Sequence, residues 1–315
     1  MNNFKKIMLL AAFSPLALAS QDIDKTLEVR IPTDVEVEVP KGKVKIVGWD
    51  KAEVRVKGTL DDGVKDYRFK RLGGKVVFEI NKESGWSSNS DTNITFYVPN
   101  TLDLEFEGTN TEVALSSMQG SIEVATVNGS IEATDIEGKI DLNTVNGSII
   151  GRNLSGVVEY ETVNGDIMDK ASKGKQLTVD TINGEVEIKT AINRIELEGV
   201  NLNAEVIAES LSKFEVNTVN GGVDLEVDEL LKNANIEVDS VHADVIMKLP
   251  TEQGFQAEVV LHKGGTISNQ LSADEVSRHS RQGSRKPKIL EFTSGKGDTR
   301  LEINSVSGDV YLKSK

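Results

Sequence analysis

The sequence contains no cysteine, which excludes disulfide bonds, thiolate nucleophiles and metal sites with cysteine ligands. Aromatic residues are also scarce at 5% of the chain, so we predict a thin core of aliphatic side chains. The three histidines lie in a turn unit, a strand-like segment and a charged loop, whereas a zinc site needs several ligands at defined spacing. We therefore predict no metal, no cofactor, and a fold stabilised by packing and backbone hydrogen bonds.

Long apolar runs are absent beyond the N-terminus. There, Lys5 and Lys6 precede an apolar run over 7–19 that ends on Ala-Leu-Ala. This pattern is typical of a secretory signal peptide, and the run is shorter than the roughly 18 apolar residues of a spanning helix. We predict a signal peptide over 1–19, rather than a buried N-terminal helix, and an exported chain in the periplasm or at the cell surface. Because Ser20 follows the cleavage point, no lipid anchor is expected, and no later run predicts membrane insertion.

The chain is acidic, with 36 Lys and Arg against 50 Asp and Glu and a net charge of −14. Nucleic acid and bare anionic membranes are poor partners for such a surface. The length allows one or two domains with a substantial core.

An internal repeat is the dominant feature of the sequence. Thr-Val-Asn-Gly-Ser-Ile at 126–131 recurs with small changes at 144–149, 162–167, 181–186 and 218–223, a spacing of 18 residues and then 19. A second glycine returns halfway between the strong copies, so each nine-residue unit is predicted to be one strand and one turn. The predicted turn residues are Asn128, Gly129, Asn146, Gly147, Asn164, Gly165, Asn183, Gly184, Asn220 and Gly221.

Apolar residues alternate with acids inside each unit, as in Ile131-Glu132-Ala133. This period of two predicts strands with the acids outside. Asn-Gly supplies the positive φ angles of tight turns and is also typical of hairpins, which would produce an antiparallel meander. The return of the same residues every 18 positions favours parallel stacking instead. We predict an all-β fold, a parallel β-solenoid of 18-residue coils, with two strands and two turns per coil, although another division of the coil stays open.

Stacking in register would place like residues above one another. A threonine ladder along one edge and a ladder of the turn asparagines would exchange hydrogen bonds between coils, which favours a structural over a binding role. The predicted threonine ladder contains Thr126, Thr144, Thr162, Thr181 and Thr218.

Three segments follow the predicted signal peptide. The first, 20–110, is β-rich but irregular, and is either a separate sandwich-like domain or a cap on the first coil. The solenoid repeats occupy 111–250. The last segment, 251–315, contains C-terminal strands and a basic loop over 278–288.

Two stretches resemble a known family. The first is KVKIVGWD at 43–50, followed by EVRV at 53–56, and the second is the series of Val-Asn-Gly-x-Ile units. Together they are similar to bacterial exported putative-adhesin proteins with a β-strand-repeat domain of unknown function, and the resemblance covers most of the mature chain. It implies a β-solenoid in the cell envelope, without an established activity and without catalytic residues to transfer.

Motifs of nucleophilic, zinc-dependent or nucleotide-binding enzymes are lacking. The acids mostly occupy outward strand positions, which are solvated by default, and the signature of calcium-binding β-rolls is absent, so calcium is a minor alternative. We predict a non-enzymatic envelope or surface protein, a binding or adhesin-like scaffold for an unknown envelope polymer or protein. The alternatives are a carbohydrate-active β-helix lyase or hydrolase, and a regulatory or structural component of envelope homeostasis.

Two features depart from this background and are candidate partner contacts. Trp86 lies in a polar loop, where an exposed ring stacks on sugars unless it folds back onto the sheet. The basic loop is either a disordered insertion or a contact for an anionic envelope polymer or an acidic partner. Its candidate residues are Arg278, Arg281, Arg285, Lys286 and Lys288.

Overall fold

The computed structural model describes residues 21–81, 92–278 and 287–315. These ranges are all-β, and they contain no helix long and apolar enough to cross a membrane. The strands, which belong to one hydrogen-bonded sheet, are β1 Gln21–Glu28, β2 Thr33–Trp49, β3 Glu53–Leu60, β4 Tyr67–Leu72, β5 Lys75–Ile80, β6 Thr92–Pro99, β7 Leu102–Asn128, β8 Ile131–Asn146, β9 Ile149–Arg152, β10 Ser155–Asn164, β11 Ile167–Thr190, β12 Arg194–Leu249, β13 Phe255–Leu261, β14 Ile267–Asn269, β15 Ser277–Arg278, β16 Lys288–Thr293, β17 Thr299–Ser307 and β18 Val310–Ser314.

Parallel pairing at a regular offset organises the middle of the chain. Strand β7 pairs with β8 so that Val113 lies opposite Ile131 and Asn128 lies opposite Asn146. Each residue thus pairs with its counterpart one sequence repeat later. The same offset joins β8 to β10 and β11 to β12 over 177–190. The antiparallel meander considered from the sequence is therefore not the arrangement of these repeats.

The longer spacing that follows Thr162 in the sequence has a local cause. Between β10 and β11, Gly156 lies opposite Gly174 but Val157 lies opposite Gln176, so Lys175 is an extra residue in the ladder. Such a β-bulge absorbs one residue without shifting the pairing beyond it. Thr162 accordingly lies opposite Thr181, and the repeat stays in phase.

The hydrophobic core is one continuous cluster that extends from Ile23 to Leu312. It follows from the alternation within each strand, since successive side chains point to opposite faces. In β7 and β8, for example, Ile122, Val124 and Ile131 are fully buried while Glu123 and Glu132 are exposed. The core is mainly aliphatic, as predicted, with a few buried aromatic rings.

The flanking strands continue this stack at both ends. Strand β2 pairs in parallel with β7 along most of its length, and β5 and β6 pair with its other edge. At the other end, β17 and β18 pair in parallel with β12. The described antiparallel pairs belong to these flanks: β1 with β3, β3 with β6, β4 with β5, β13 with β16, and β15 with β16.

The backbone bends differ from the sequence prediction. We expected positive φ at the Asn-Gly pairs, yet Gly129, Gly147, Gly165 and Gly184 lie outside the left-handed region, and of the predicted turn glycines only Gly221 has a positive φ, of 128°. The left-handed residues lie instead at the bend halfway between them. They are Ser117, Asp135, Asn153 and Ala171, with φ between 52° and 61°, and Gly120, Gly138, Gly156 and Gly174, with φ between 121° and 145°.

Glycine is required at the Asn-Gly bend for a different reason, which is close stacking. A methyl group on Gly147 would overlap the carbonyl oxygen of Gly129 in the preceding repeat, and one on Gly165 would overlap that of Gly147. The Asn-Gly pairs thus allow adjacent repeats to approach closely, a known use of glycine in addition to conformational freedom.

Candidate functional site

The turn asparagines form a continuous row of hydrogen bonds on the surface. Each side-chain amide donates from Nδ2 to Oδ1 of the asparagine in the preceding repeat, over distances of 2.6 to 3.1 Å. Two members, Asn110 and Asn201, were missed in the sequence because neither is followed by glycine, although both keep the repeat spacing. This asparagine row comprises Asn110, Asn128, Asn146, Asn164, Asn183, Asn201 and Asn220.

The predicted threonines also stack, but they point into the core rather than along the surface. Thr126, Thr144, Thr162, Thr181 and Thr218 are all buried. The hydroxyl of Thr144 donates 3.0 Å to the carbonyl oxygen of Gly129, and that of Thr162 donates 3.3 Å to Gly147. These two bonds satisfy backbone carbonyls of the preceding repeat. The Thr218 hydroxyl donates instead to the carbonyl oxygen of Asn220 in its own repeat, and Thr181 Oγ1 has no hydrogen-bond partner among the described residues.

From Asn128 onward, the residue before each asparagine of the asparagine row points outward and is aliphatic. Val127, Val145, Ile182, Val200 and Val219 are 39% to 43% exposed, in contrast to the buried apolar side chains of the strands. Their repeat position places them one above the other beside the asparagine row. This aliphatic row comprises Val127, Val145, Val163, Ile182, Val200, Val219 and Val241.

The aliphatic row was not singled out from the sequence, although a signal was present. Because successive side chains of a strand point to opposite faces, the residue that directly follows an inward threonine points outward. An apolar residue at that position is an exception to the pattern of apolar residues inside and polar residues outside. The Thr-Val-Asn order places an apolar residue at this outward position in every strong repeat, with Ile for Val in one copy.

A groove of about 680 Å³ runs along five repeats beside this row. One wall is the aliphatic row from Val163 to Val241, and the floor consists of the threonine position of each repeat. The opposite wall is acidic, apart from one asparagine. This acidic wall comprises Glu161, Asp180, Glu198, Asn217 and Asp239.

The acidic wall is a stack of like charges. Glu161 lies opposite Asp180 in the strand ladder, and Asp180 lies opposite Glu198. The pKa of Asp180 is raised, first by partial burial and then by repulsion from Glu198 and Glu161. A cation brought to this wall would relieve that repulsion.

Compensating cations pair with acids elsewhere on the described surface. Lys213 bridges Glu196 and Glu215 at 2.7 and 2.6 Å. Over the described part of the chain, the acids of the acidic wall form no ion pair of this kind. The groove therefore combines an aliphatic wall with a negative wall to which no described side chain supplies a compensating cation.

A second cluster, of residue types used in catalysis, lies inside the core. The Tyr160 hydroxyl donates to Asp169 Oδ2 at 2.7 Å, and the Ser172 hydroxyl donates to the same oxygen at 2.7 Å. Burial raises the pKa of Asp169, and burial together with the Asp169 carboxylate raises the pKa of Tyr160 far above its usual range. All three side chains are fully buried, so no substrate reaches them and their role is structural.

The candidate partner contacts are only partly located. Trp86, Arg281, Arg285 and Lys286 lie outside the described residues. Arg278 lies opposite Lys288 in the antiparallel pair of β15 and β16, so the pairing brings the two ends of the basic segment together. The Lys288 ammonium donates to the carbonyl oxygen of Gly265.

No group of three or more His, Cys, Asp or Glu side chains that could hold a metal ion occurs among residues 21–81, 92–278 and 287–315. His242 and His262 are both exposed; the first lies within β12 and the second directly follows β13. No residues of this part of the chain are therefore assigned to a metal.

No protein-family model and no curated protein matches the chain. Among solved structures, a putative adhesin from Bacteroides fragilis is 9% identical with a TM-score of 0.39, covering 73% of this chain and 95% of the other. A putative cell adhesion protein from Clostridium sporogenes is 13% identical with a TM-score of 0.23, covering 94% and 100%. A putative lipid binding protein from Parabacteroides distasonis is 14% identical with a TM-score of 0.38, covering 72% and 89%.

The first two names agree with the resemblance to bacterial putative adhesins found in the sequence. All three TM-scores are below 0.5. The function of this chain is therefore argued from its own residues.

Proposed function

We propose that this chain is an exported, non-enzymatic parallel β-solenoid that binds an envelope polymer or protein along one edge. The observation that carries the proposal is the aliphatic row, in which Val127, Val145, Ile182, Val200 and Val219 are each about two-fifths exposed. Aligned apolar side chains at the surface are a common feature of interaction sites. The row and the asparagine row together form the proposed binding edge.

The solenoid part of the proposal is supported by the pairing register. Residues one repeat apart lie side by side in β7, β8 and β10, and the ladder of like asparagines follows the same period. Quasi-one-dimensional stacks of this kind present long regular faces to their partners. A binding or adhesin-like role in the envelope or at the cell surface uses such a face without requiring a catalytic site.

Binding to isolated envelope material tests the proposal. The mature chain, residues 20–315, is mixed with peptidoglycan sacculi and with membrane fractions, and the protein in the pellet is measured. We expect the double variant Ile182→Ser with Val200→Ser to reduce retention at least about fivefold, because it removes apolar area from the edge. Glu132→Gln, outside the edge, is the matched control and should leave retention unchanged.

Equal retention of the double variant and the parent would contradict the proposed binding edge. Circular dichroism melts of both variants confirm that each is folded before retention is compared. Exposed positions of this kind usually change stability by less than about 0.5 kcal/mol, so unfolding is not expected to confuse the result.

Export has its own test. Expression of the whole sequence in a bacterial host, followed by fractionation and mass spectrometry, should yield a mature chain that begins at Ser20. Recovery of cytoplasmic protein that retains Lys5 and Lys6 would contradict the export part of the proposal.

A further inference from the structure

We infer that the groove between the aliphatic row and the acidic wall binds an amphipathic α-helix with an aliphatic stripe and a Lys/Arg-rich flank. This inference rests on the proposed binding function and specifies the partner at that edge. The groove has two walls of different chemistry over five repeats. A ligand that fits both must be apolar on one side and cationic on the other.

The extent of the acidic wall indicates where the partner lies. In the first two repeats of the aliphatic row, beside Val127 and Val145, the acidic position is occupied by Ala125 and Asn143. From Glu161 onward it carries acids in four of five repeats. The negative charge is thus confined to one part of a longer apolar row, and a cationic partner is expected to bind there and not along the whole edge.

The same charge argues against a second copy of this chain as the occupant. Two copies packed edge to edge through this groove would bring two acidic walls together, and like charges at close range repel. Each acidic wall already lacks cationic partners among the described side chains, and the pKa of Asp180 is raised by its partial burial and then by repulsion from neighbouring acids within one copy.

Backbone pairing decides between a helix and a strand as the bound form. The repeats that cross the groove from Glu161 to Glu198 are already joined through parallel ladders, so a peptide strand lying along this part of the groove finds no row of unpaired backbone groups to join. A helix forms its backbone hydrogen bonds internally, so it needs only side-chain contacts with the groove.

The dimensions also favour a helix. Adjacent repeats are about 4.8 Å apart, and one helical turn advances about 5.4 Å, whereas same-face side chains of a strand are about 6.7 Å apart. A slightly tilted helix therefore presents about one side chain to each repeat. Five repeats span about 19 Å, which corresponds to about 13 helical residues at about 1.5 Å per residue.

The experiment uses a synthetic 16-residue peptide as the probe. It carries leucines at helical spacing and lysines along one flank, and its affinity for the mature chain is measured by fluorescence anisotropy at low and at physiological salt. One comparison peptide has glutamate in place of each lysine, and another has the same composition in scrambled order. We expect the lysine peptide to bind at least about tenfold more tightly than either, and more weakly as salt rises.

Variants of the chain locate the binding. Ile182→Ser with Val200→Ser should weaken binding of the lysine peptide about tenfold, and Asp180→Asn with Glu198→Gln should weaken it and flatten its salt dependence. Ile31→Ser with Leu72→Ser removes exposed apolar side chains that lie outside the binding edge, and it should leave the affinity unchanged.

Several results would overturn the inference. They are equal binding of the scrambled or glutamate peptide, equal loss of binding in the Ile31 and Leu72 double variant, and self-association of the chain that the Ile182 and Val200 double variant abolishes. If the peptide fails to bind while envelope retention still depends on Ile182 and Val200, the helix inference alone is wrong. If retention does not depend on them either, the proposed function fails too.

Discussion

The Tyr160 hydroxyl donates a 2.7 Å hydrogen bond to the Asp169 carboxylate, and both residues are fully buried. The absence of a side chain at Gly151 leaves room for the tyrosine hydroxyl, since a methyl group there would overlap it. Asp169 Oδ1 has no hydrogen-bond partner among the described residues. A buried carboxylate therefore depends on the hydroxyl donors that surround it.

Removing the tyrosine hydroxyl tests this dependence. Tyr160→Phe should lower the free energy of unfolding by about 1 to 3 kcal/mol, because it removes a donor from a buried acidic group. Tyr311→Phe is the control, since its hydroxyl lies 3.5 Å from Asp309 in a part-buried position, and it should cost less than about 0.5 kcal/mol. Urea unfolding followed by circular dichroism measures both, and equal stability of the two variants would contradict the structural role of the Tyr160 hydroxyl.

The titration of Asp169 gives a pH-dependent prediction. Burial raises its pKa in the folded chain, so its contribution to stability is fully present below the ordinary carboxyl pKa and is lost as pH rises through the raised folded pKa. Asp169→Asn cannot ionise and does not show this loss. The melting temperature of the variant relative to the parent should therefore increase between about pH 4 and about pH 7.

Thermal melts of the parent and of Asp169→Asn at both pH values provide the measurement. The comparison uses the change in the difference between them, which removes any constant effect of the amide. A difference that stays the same, or falls, as pH rises would show that the pKa of Asp169 is not raised by folding.

Close stacking at the Asn-Gly bend predicts a position-specific cost. Gly147→Ala should destabilise the chain by about 1 to 3 kcal/mol, because the new methyl group overlaps the Gly129 carbonyl oxygen and forces adjacent repeats apart. Gly222 is the matched control, since a methyl group there would lie 3.7 Å from the nearest atom, Asn203 Oδ1. Gly222→Ala should be nearly neutral in urea unfolding, and a comparable loss in both variants would refute the stacking explanation.

The register predicts the outcome of two deletions. Removing residues 129–146 takes out one repeat and brings Gly147 into the place of Gly129, because Asn128 already stacks on Asn146. A folded, shorter chain is expected. Removing 129–137 should destabilise it strongly, because every later strand would then stack half a repeat out of phase.

Thermal melts followed by circular dichroism compare the two deletions. The deletion of 129–146 should retain a cooperative melt with strand content in proportion to its length. If the deletion of 129–137 melts as high as the longer one, the segment 129–146 is not the unit that stacks.

Local alternation and spacing in the sequence determined the strands, their all-β class and the offset at which the repeats pair. The buried Ile131 and exposed Glu132 follow from period-two alternation, and the stacking of Asn128 on Asn146 follows from equal spacing of like residues. These features are local or periodic, so they are visible without knowledge of the path of the chain.

Tertiary structure alone decided the backbone angles at the bends. The sequence did not show that left-handed backbone lies at Asp135 and not at Gly147, because the spacing of like residues does not fix the backbone angles of a bend. The groove also needs the third dimension, since its acids come from successive repeats and form one wall only when those repeats stack. Contacts between repeats at a bend depend on where each side chain points. The backbone angles at the bend set that direction.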